Sequence, residues 1–122
     1  MQLSGVMLFV KDFPRMQAFY SELLRTQPDN TEWTASYARY SGGGVTFALH
    51  AIPEEIARGV ETSPKPRESG SVKFTLSTNG VLAERDRLQS LGATILQRPW
   101  QNPDESFDAA DLEGNVFSVT RD

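Results

Sequence analysis

The chain has no cysteine and only one histidine, His50, among its 122 residues. Without cysteine it can form no disulfide framework, no thiol nucleophile and no cysteine-type zinc site. Basic residues are also scarce, because 12 lysines and arginines face 16 acidic residues, for a formal net charge of −4. This balance argues against a nucleic-acid-binding protein, which would usually carry a basic face.

Long apolar runs are missing as well. No stretch approaches the roughly 20 apolar residues that a membrane helix needs. Instead, 39% of the residues are hydrophobic and 23% are charged, which is typical of a soluble globular protein. At this length we expect one domain with a sizeable core. Since the lack of cysteine is compatible with a reducing compartment, we also expect a cytoplasmic location.

The first half of the chain predicts a strand, a helix and a hairpin. Apolar residues occur on both faces of residues 3–10, which is typical of a strand covered on both sides. Residues 13–25 show the i, i+3, i+4 spacing of an amphipathic helix. Two further strands are predicted over 32–40 and 45–51. The glycine-rich turn between them suits a hairpin, since glycine adopts the positive φ angles that hairpin turns require. A short helical turn is expected over 53–59.

The second half repeats this pattern after a polar, proline-containing linker. Residues 60–69 show no periodicity and predict a surface linker. Strand, helix and strands then follow again, with Asn79 as the expected helix cap, an apolar stripe that includes Leu82 and Leu88, and Gly92 at the helix C-terminus. The predicted elements are strand 71–77, a helix ending at Leu91, and strands 93–97, 106–110 and 116–120.

The chain closes on a turn and a strand with a recognisable order of residues. Asp111-Leu112-Glu113-Gly114-Asn115-Val116-Phe117-Ser118-Val119 resembles the Asp-Pro-x-Gly-Asn-x-x-Glu ending of the vicinal oxygen chelate superfamily, which contains glyoxalases, bleomycin-resistance proteins and extradiol dioxygenases. Three further motifs support the resemblance in the same order along the chain. They are the segment 5–12 before a helix containing Phe19-Tyr20, the Gly43-Gly44 hairpin, and Leu91-Gly92-Ala93.

The resemblance implies an α+β fold of two βαβββ units. It predicts a single domain over residues 1–122, with units at about 1–59 and 70–122 and a linker over 60–69. In that family the strands form a curved mixed sheet around a cup, and the helices cover the outer face. Family members often use the cup as homodimers, and we expect one here, because a single chain would leave sheet edges and apolar surface open.

The resemblance also locates the places where metal enzymes of the family carry their ligands. In this sequence those places correspond to Gly5, Ala48, Ser71 and Ser118, where Ser118 replaces the closing glutamate. None of the four offers the imidazole or carboxylate that a divalent ion prefers. We therefore expect no metal or other cofactor and no catalytic residue, and the resemblance points to the metal-free, bleomycin-resistance-like branch.

Strand alternation assigns one face of each strand to the cup. Together with aromatic residues at its mouth, this face gives the following candidate ligand-binding residues: Met7, Phe9, Trp33, Tyr37, Arg39, His50, Lys73, Trp100, Asp108 and Ser118. The aromatic members are suited to stacking on a planar ligand. The alternative is that both tryptophans lie at a rim or dimer interface. Arg39 and Lys73 are suited to an anionic group, or to an ion pair with Asp108.

The sequence thus predicts a small-molecule-binding protein that holds a ligand in its cup without a catalytic metal, and with neither nucleic acid nor membrane as a partner. Two alternatives stay open. One is a metal-dependent lyase, isomerase or dioxygenase that uses the unusual ligands His50 and Asp108. The other is a structural or interaction protein whose cup is filled by its own side chains.

Overall fold

The computed structural model describes residues 1–29 and 34–122. The chain divides into two compact units, Met1–Glu61 and Thr62–Asp122. Most of the segment predicted as a linker therefore belongs to the second unit. Within the described residues no helix is long and apolar enough to cross a membrane.

The first unit is built on a mixed sheet. Its elements are β1 (Gly5–Val10), α1 (Phe13–Leu24), β2 (Tyr37–Tyr40), β3 (Thr46–Ala51) and the short α2 (Glu54–Ala57). The strand order is β1-β3-β2, in which β3 runs parallel to β1 and antiparallel to β2. Part of the strand predicted over 32–40 falls on residues outside the described ranges, and the strand that is observed begins at Tyr37.

Helix α1 covers one face of this sheet because its apolar residues share a side. The Asp12 carboxylate accepts a hydrogen bond from the Arg15 amide and caps the helix start, as predicted. Tyr20 is fully buried, and its ring centroid lies 5.1 Å from that of Phe47 on β3. Phe47 therefore faces the helix, and the alternate residues of β3 face away from it.

The second unit has the complete strand-helix-strand-strand-strand order that the sequence predicts. Its elements are β4 (Thr75–Thr78), α3 (Val81–Ser90), β5 (Thr94–Leu96), β6 (Ser106–Ala110) and β7 (Val116–Arg121). The strand order is β4-β7-β6-β5, with β4 parallel to β7 and the other pairs antiparallel. The two mixed sheets and their helices confirm the predicted α+β class.

Three details of the second unit differ from prediction. Strand β4 begins at Thr75 rather than residue 71, because its pairing with β7 starts only there, and Val72 is 77% exposed instead of covered. Helix α3 is capped at Gly80 without a side-chain bond, so Asn79 is not the cap. Leu82 is exposed, because the buried stripe of α3 runs through Val81 and Leu88.

The closing turn is held by its own side chains and by the segment 63–68, called the strap below. Asp111 accepts hydrogen bonds from the amides of Glu113 and Asn115, and so closes the turn on itself. Gly114 has φ +84°, and a Cβ there would meet the main-chain oxygens of Ser63, at 2.8 Å, and Lys65. Only glycine therefore fits where the strap crosses the turn.

Candidate functional site

In the first unit a row of three rings crosses the sheet on the face opposite α1. The strand register sets Phe9 beside His50, and His50 beside Tyr37. The ring centroid of His50 lies 5.3 Å from that of Phe9 and 6.1 Å from that of Tyr37. Phe9 is 52% exposed, so the row presents an aromatic surface that a ligand ring can contact.

The next row on the same face is made of Met7, Ala48 and Arg39. Met7 is 46% exposed, whereas Ala48 is buried. Arg39 lies 4.0 Å from Asp29 through Nε, and the Asp29 amide donates to the Arg39 carbonyl. The two rows together form what we call the first-unit face: Met7, Phe9, Tyr37, Arg39 and His50.

The tautomer of His50 follows from its main-chain contact. Its Nδ1 lies 2.7 Å from the carbonyl oxygen of Ala51. A carbonyl can only accept, so Nδ1 carries a proton and Nε2 of the neutral ring is an acceptor. Among residues 1–29 and 34–122 no group hydrogen-bonds to Nε2. The ring is therefore oriented with an acceptor available to a ligand.

In the second unit the corresponding sheet face carries a charged cluster centred on Asp108. One carboxylate oxygen accepts from Ser118 Oγ at 2.7 Å and from Gln101 Nε2 at 3.0 Å. The other oxygen accepts from Arg98 Nε at 3.1 Å and from Lys73 Nζ at 3.2 Å. Asp108 is 1% exposed. Four donors thus occupy a carboxylate that has almost no access to water.

The pKa values of the cluster reflect this arrangement. Burial alone would raise the pKa of Asp108, but hydrogen bonds from Ser118, Arg98, Lys73 and Gln101 outweigh it and lower that pKa below its ordinary value. Hydrogen bonds to Glu68 and Asp108 raise the pKa of Arg98. Asp108 therefore stays ionised and hydrogen-bonded at neutral pH, so it is poorly suited to act as a general base.

Arg98 connects this cluster to the strap. Its two terminal nitrogens donate to the two carboxylate oxygens of Glu68, at 3.0 and 2.9 Å. The strap is also held by the Arg67 amide, which donates to the Gly114 carbonyl at 2.9 Å, and by Thr94, whose hydroxyl donates to the Pro64 carbonyl. The segment interpreted as a surface linker is therefore bound along the second unit.

A family model described as a glyoxalase-like domain matches residues 5–120. The chain belongs to this family. Three solved structures have a similar fold, and each aligns with 99–100% of this chain. No curated protein matches it.

Two of these structures are described as a glyoxalase-related enzyme and a glyoxalase/bleomycin resistance protein/dioxygenase family enzyme. The first, from Fulvimarina pelagi, is 19% identical with a TM-score of 0.73 and 88% of its chain covered. The second, from Burkholderia phytofirmans, is 21% identical with a TM-score of 0.69 and 98% covered. The third, the fosfomycin resistance protein FosX from Listeria monocytogenes, is 16% identical with a TM-score of 0.70 and 93% covered. At these identities the likeness shows the fold.

The four residues that the sequence assigned to the family's metal positions do not suit a metal ion in this glyoxalase-like domain. A Cβ at Gly5 would collide with Thr46 Oγ1, and Ser118 already donates its hydroxyl to Asp108. Ala48 has no donor atom, and Ser71 offers only a neutral hydroxyl. The described residues contain no group of three or more His, Asp or Glu side chains that could hold an ion.

The strand register changes one of the sequence assignments. The sequence matched Ala48 with Ser118 as equivalent last-strand positions. When Phe9 and Thr75 are taken as matching residues of the repeat, the register sets His50 opposite Phe9 and Ser118 opposite Thr75. His50 is therefore the structural counterpart of Ser118, which leaves one imidazole among the four positions. A single imidazole is too little to hold a divalent ion firmly.

The structure groups the predicted site residues into two clusters. Phe9, Tyr37 and His50 form the ring row, with Met7 and Arg39 beside it, while Lys73, Asp108 and Ser118 form the charged cluster. Trp33 lies outside the described residues. Trp100 is 79% exposed.

Three members of the charged cluster were missed at the sequence level. They are Arg98, Gln101 and Glu68, which lie outside the strands. Residue alternation predicts the direction of a side chain only within a strand. One signal was available in the sequence: Arg98 lies two residues beyond Leu96, the last residue of β5, and Leu96 pairs with Asp108 on β6.

Proposed function

We propose that the glyoxalase-like domain binds a small organic ligand through a flat ring and does so without a metal ion. The observation that carries this proposal is the first-unit face, where Phe9, His50 and Tyr37 lie in one row and Phe9 is half exposed. The similar structures support the glyoxalase-like fold, but a fold by itself does not identify the ligand.

The first-unit face offers both apolar surface and one directional contact. A planar ligand that covers Phe9 and Met7 removes apolar surface from water and stacks on the ring row, at about 0.5–1.5 kcal/mol per ring pair beyond burial. Nε2 of His50 can accept a hydrogen bond from an N–H or O–H of the ligand. The expected ligand is therefore a planar ring that carries a donor.

The charged cluster supports the metal-free part of the proposal. Asp108, the acidic residue considered as a partner of His50 in a metal site, has its oxygens occupied by four donors. Releasing it for an ion would leave Arg98 and Lys73 without their shared carboxylate, which is costly for a charge cluster that is partly buried.

Two finer expectations belong to the same proposal. We expect a homodimer, because several apolar side chains are exposed in the described residues, among them Leu3, Ile56 and Val72. The cytoplasmic location stays an expectation from composition. Sedimentation velocity at two protein concentrations tests the dimer, and a species with the mass of one chain at both would refute it.

Ligand binding can be tested with a panel of planar ring compounds, with and without hydrogen-bond donors, followed by ¹⁵N–¹H NMR. We expect shifts at Met7, Phe9, Tyr37 and His50 for the compounds that bind. Phe9→Ala should weaken those compounds about ten-fold or more, since it removes one complete ring contact. Leu82→Ala is the matched control, because Leu82 is similarly exposed, at 45%, but lies on α3.

The competing metal-enzyme hypothesis has one observation in its favour. A histidine that ligates a metal usually donates its other ring nitrogen to an oxygen, as His50 does to Ala51. Titration of the untagged protein with Mn²⁺ and Ni²⁺ separates the two ideas. Stoichiometric binding that His50→Ala abolishes would overturn the metal-free proposal, whereas binding of no ion together with loss of ring-compound binding in Phe9→Ala would support it.

A protein whose binding face is closed by its own side chains is the third possibility. It predicts that no compound of the panel shifts the resonances of the first-unit face. Uniform absence of shifts, with Phe9→Ala and Leu82→Ala behaving alike, would favour that structural role over ligand binding.

A further inference from the structure

We infer that Arg98 and Lys73 form an anion-binding subsite in the second unit, which Glu68 of the strap occupies as an internal carboxylate. The subsite would take the carboxylate group of a small organic acid in place of Glu68. This inference rests on the second unit alone and does not depend on the proposed function of the first-unit face.

The two cationic groups are held side by side by one atom. Arg98 Nε and Lys73 Nζ both contact the same oxygen of Asp108, at 3.1 and 3.2 Å. Asp108 is 1% exposed, so this anchor is fixed within the fold. One buried negative charge therefore organises two positive charges, and one positive charge is left for a second anion.

Glu68 supplies that second anion in the geometry of a ligand. Its two oxygens accept from the two terminal nitrogens of Arg98, which is the bidentate arrangement that guanidinium groups form with carboxylates. Unlike Asp108, the Glu68 side chain is 57% exposed. An exposed ion pair contributes little free energy, because water and salt screen it. Glu68 is thus the replaceable anion and Asp108 the permanent one.

Lys73 would add to the affinity for an incoming carboxylate. Its side chain is 48% exposed, and its contact with Asp108 is the one hydrogen bond it makes within the described residues. An ammonium group has three donors. Two of them stay available to an anion that approaches Arg98 from solvent. The anion is then bound by the planar guanidinium group of Arg98 and by the single charge of Lys73.

The chain offers a matched control for Glu68. Glu105 is 54% exposed and pairs with Arg121 Nε at 3.2 Å, also in the second unit. Neither of these residues contacts Asp108 in the structure. Glu105→Ala therefore removes an exposed glutamate from an arginine without vacating the proposed subsite.

The experiment is a titration with sodium acetate at constant ionic strength, kept constant with chloride, followed through the Arg98 Nε–H resonance. Glu68→Ala and Glu68→Gln should bind acetate about two- to five-fold more tightly than the unchanged protein, because no internal carboxylate competes. Glu105→Ala should match the unchanged protein. Protection of the Arg67 amide from hydrogen exchange reports that the strap stays in place.

Two further variants test which groups bind the anion. In the Glu68→Gln background, Arg98→Lys should lose most of the gain, because lysine keeps the charge but lacks the planar fork; acetate is then followed through the main-chain amide of residue 98. Lys73→Ala should weaken acetate by a smaller factor. Equal acetate affinity in Glu68→Gln, Glu105→Ala and the unchanged protein would overturn the inference, as would a gain that survives Arg98→Lys.

Discussion

The two units carry opposite chemistry on matching rows of their sheets. In the first, Phe9 pairs with His50 and is 52% exposed. In the second, Thr75 pairs with Ser118, which pairs in turn with Asp108, and Asp108 is 1% exposed. The first row presents rings to solvent, whereas in the second row the Ser118 hydroxyl donates a hydrogen bond to the buried Asp108 carboxylate. The first row is thus a surface available for contacts, and the second is centred on a carboxylate that is fully hydrogen-bonded within the fold.

This difference indicates where stability and binding reside. A group whose hydrogen bonds are all made within the fold contributes to stability, and its loss leaves partners unpaired. A half-exposed ring contributes little to stability and much to any contact it later makes. Substitution of Asp108 should therefore act mainly on folding, and substitutions in the first-unit face mainly on binding.

The largest effect is expected from Asp108→Ala. It removes the acceptor of four donors and leaves the charges of Arg98 and Lys73 close together, which should cost about 3–5 kcal/mol of unfolding free energy. Urea unfolding measures the change, with Asp104→Ala as the control for an exposed aspartate. A loss under about 1 kcal/mol would mean that the cluster is not a stability element.

A smaller effect is expected from Gly114→Ala. The residue has φ +84°, and its Cβ would meet main-chain oxygens of the strap. Strain and collision together should cost about 2–3 kcal/mol. Gly44→Ala is the control, because Gly44 has φ +78° but nothing within 4 Å of its Cβ. Thermal unfolding of both variants should separate them, and equal losses would show that the strap does not constrain Gly114.

Acid should reduce the contribution of Asp108 to the free energy of unfolding, whereas that contribution is fully present at neutral pH. The pKa of Asp108 is lowered in the folded chain, so the folded state favours the ionised carboxyl. Its stabilising contribution is fully present above the unfolded pKa, about 3.9, and is lost as the pH falls through the folded value. Asp108→Asn should therefore show a flatter decline of unfolding free energy below about pH 4. Parallel curves for both proteins would contradict this.

Residue alternation along strands predicted much of this comparison from sequence. It assigned Phe9, Tyr37, His50, Lys73, Asp108 and Ser118 together to the side of the strands that faces away from the helices, because successive side chains on a strand point to opposite sides. Their division into a ring row and a charged cluster was not predicted. The closing Asp111, Gly114 and Asn115 likewise predicted the turn. Both predictions depend on short-range geometry, which the sequence encodes directly.

Contacts made by loops could not be predicted in the same way. Glu68 lies in a polar segment with two prolines, where no period indicates a direction for any side chain. Its pairing with Arg98, 30 residues further on, depends on how the strap crosses Gly114. The start of β4 was missed for a related reason: Val72 has strand-like character, but its pairing partner on β7 begins only at Thr75.

The smallest effect is expected from Phe9→Ala on stability, although the same change should have the largest effect on binding. Phe9 is 52% exposed, so its replacement by alanine removes only about half of the buried area of a core ring and leaves no closed cavity. We expect a loss of about 1 kcal/mol or less in urea, similar to that of Leu82→Ala on α3. A loss of 3 kcal/mol or more would place Phe9 in the core of the folded protein. Phe9 would then be as buried as Asp108, and the contrast between an exposed row in the first unit and a buried carboxylate in the second would not hold.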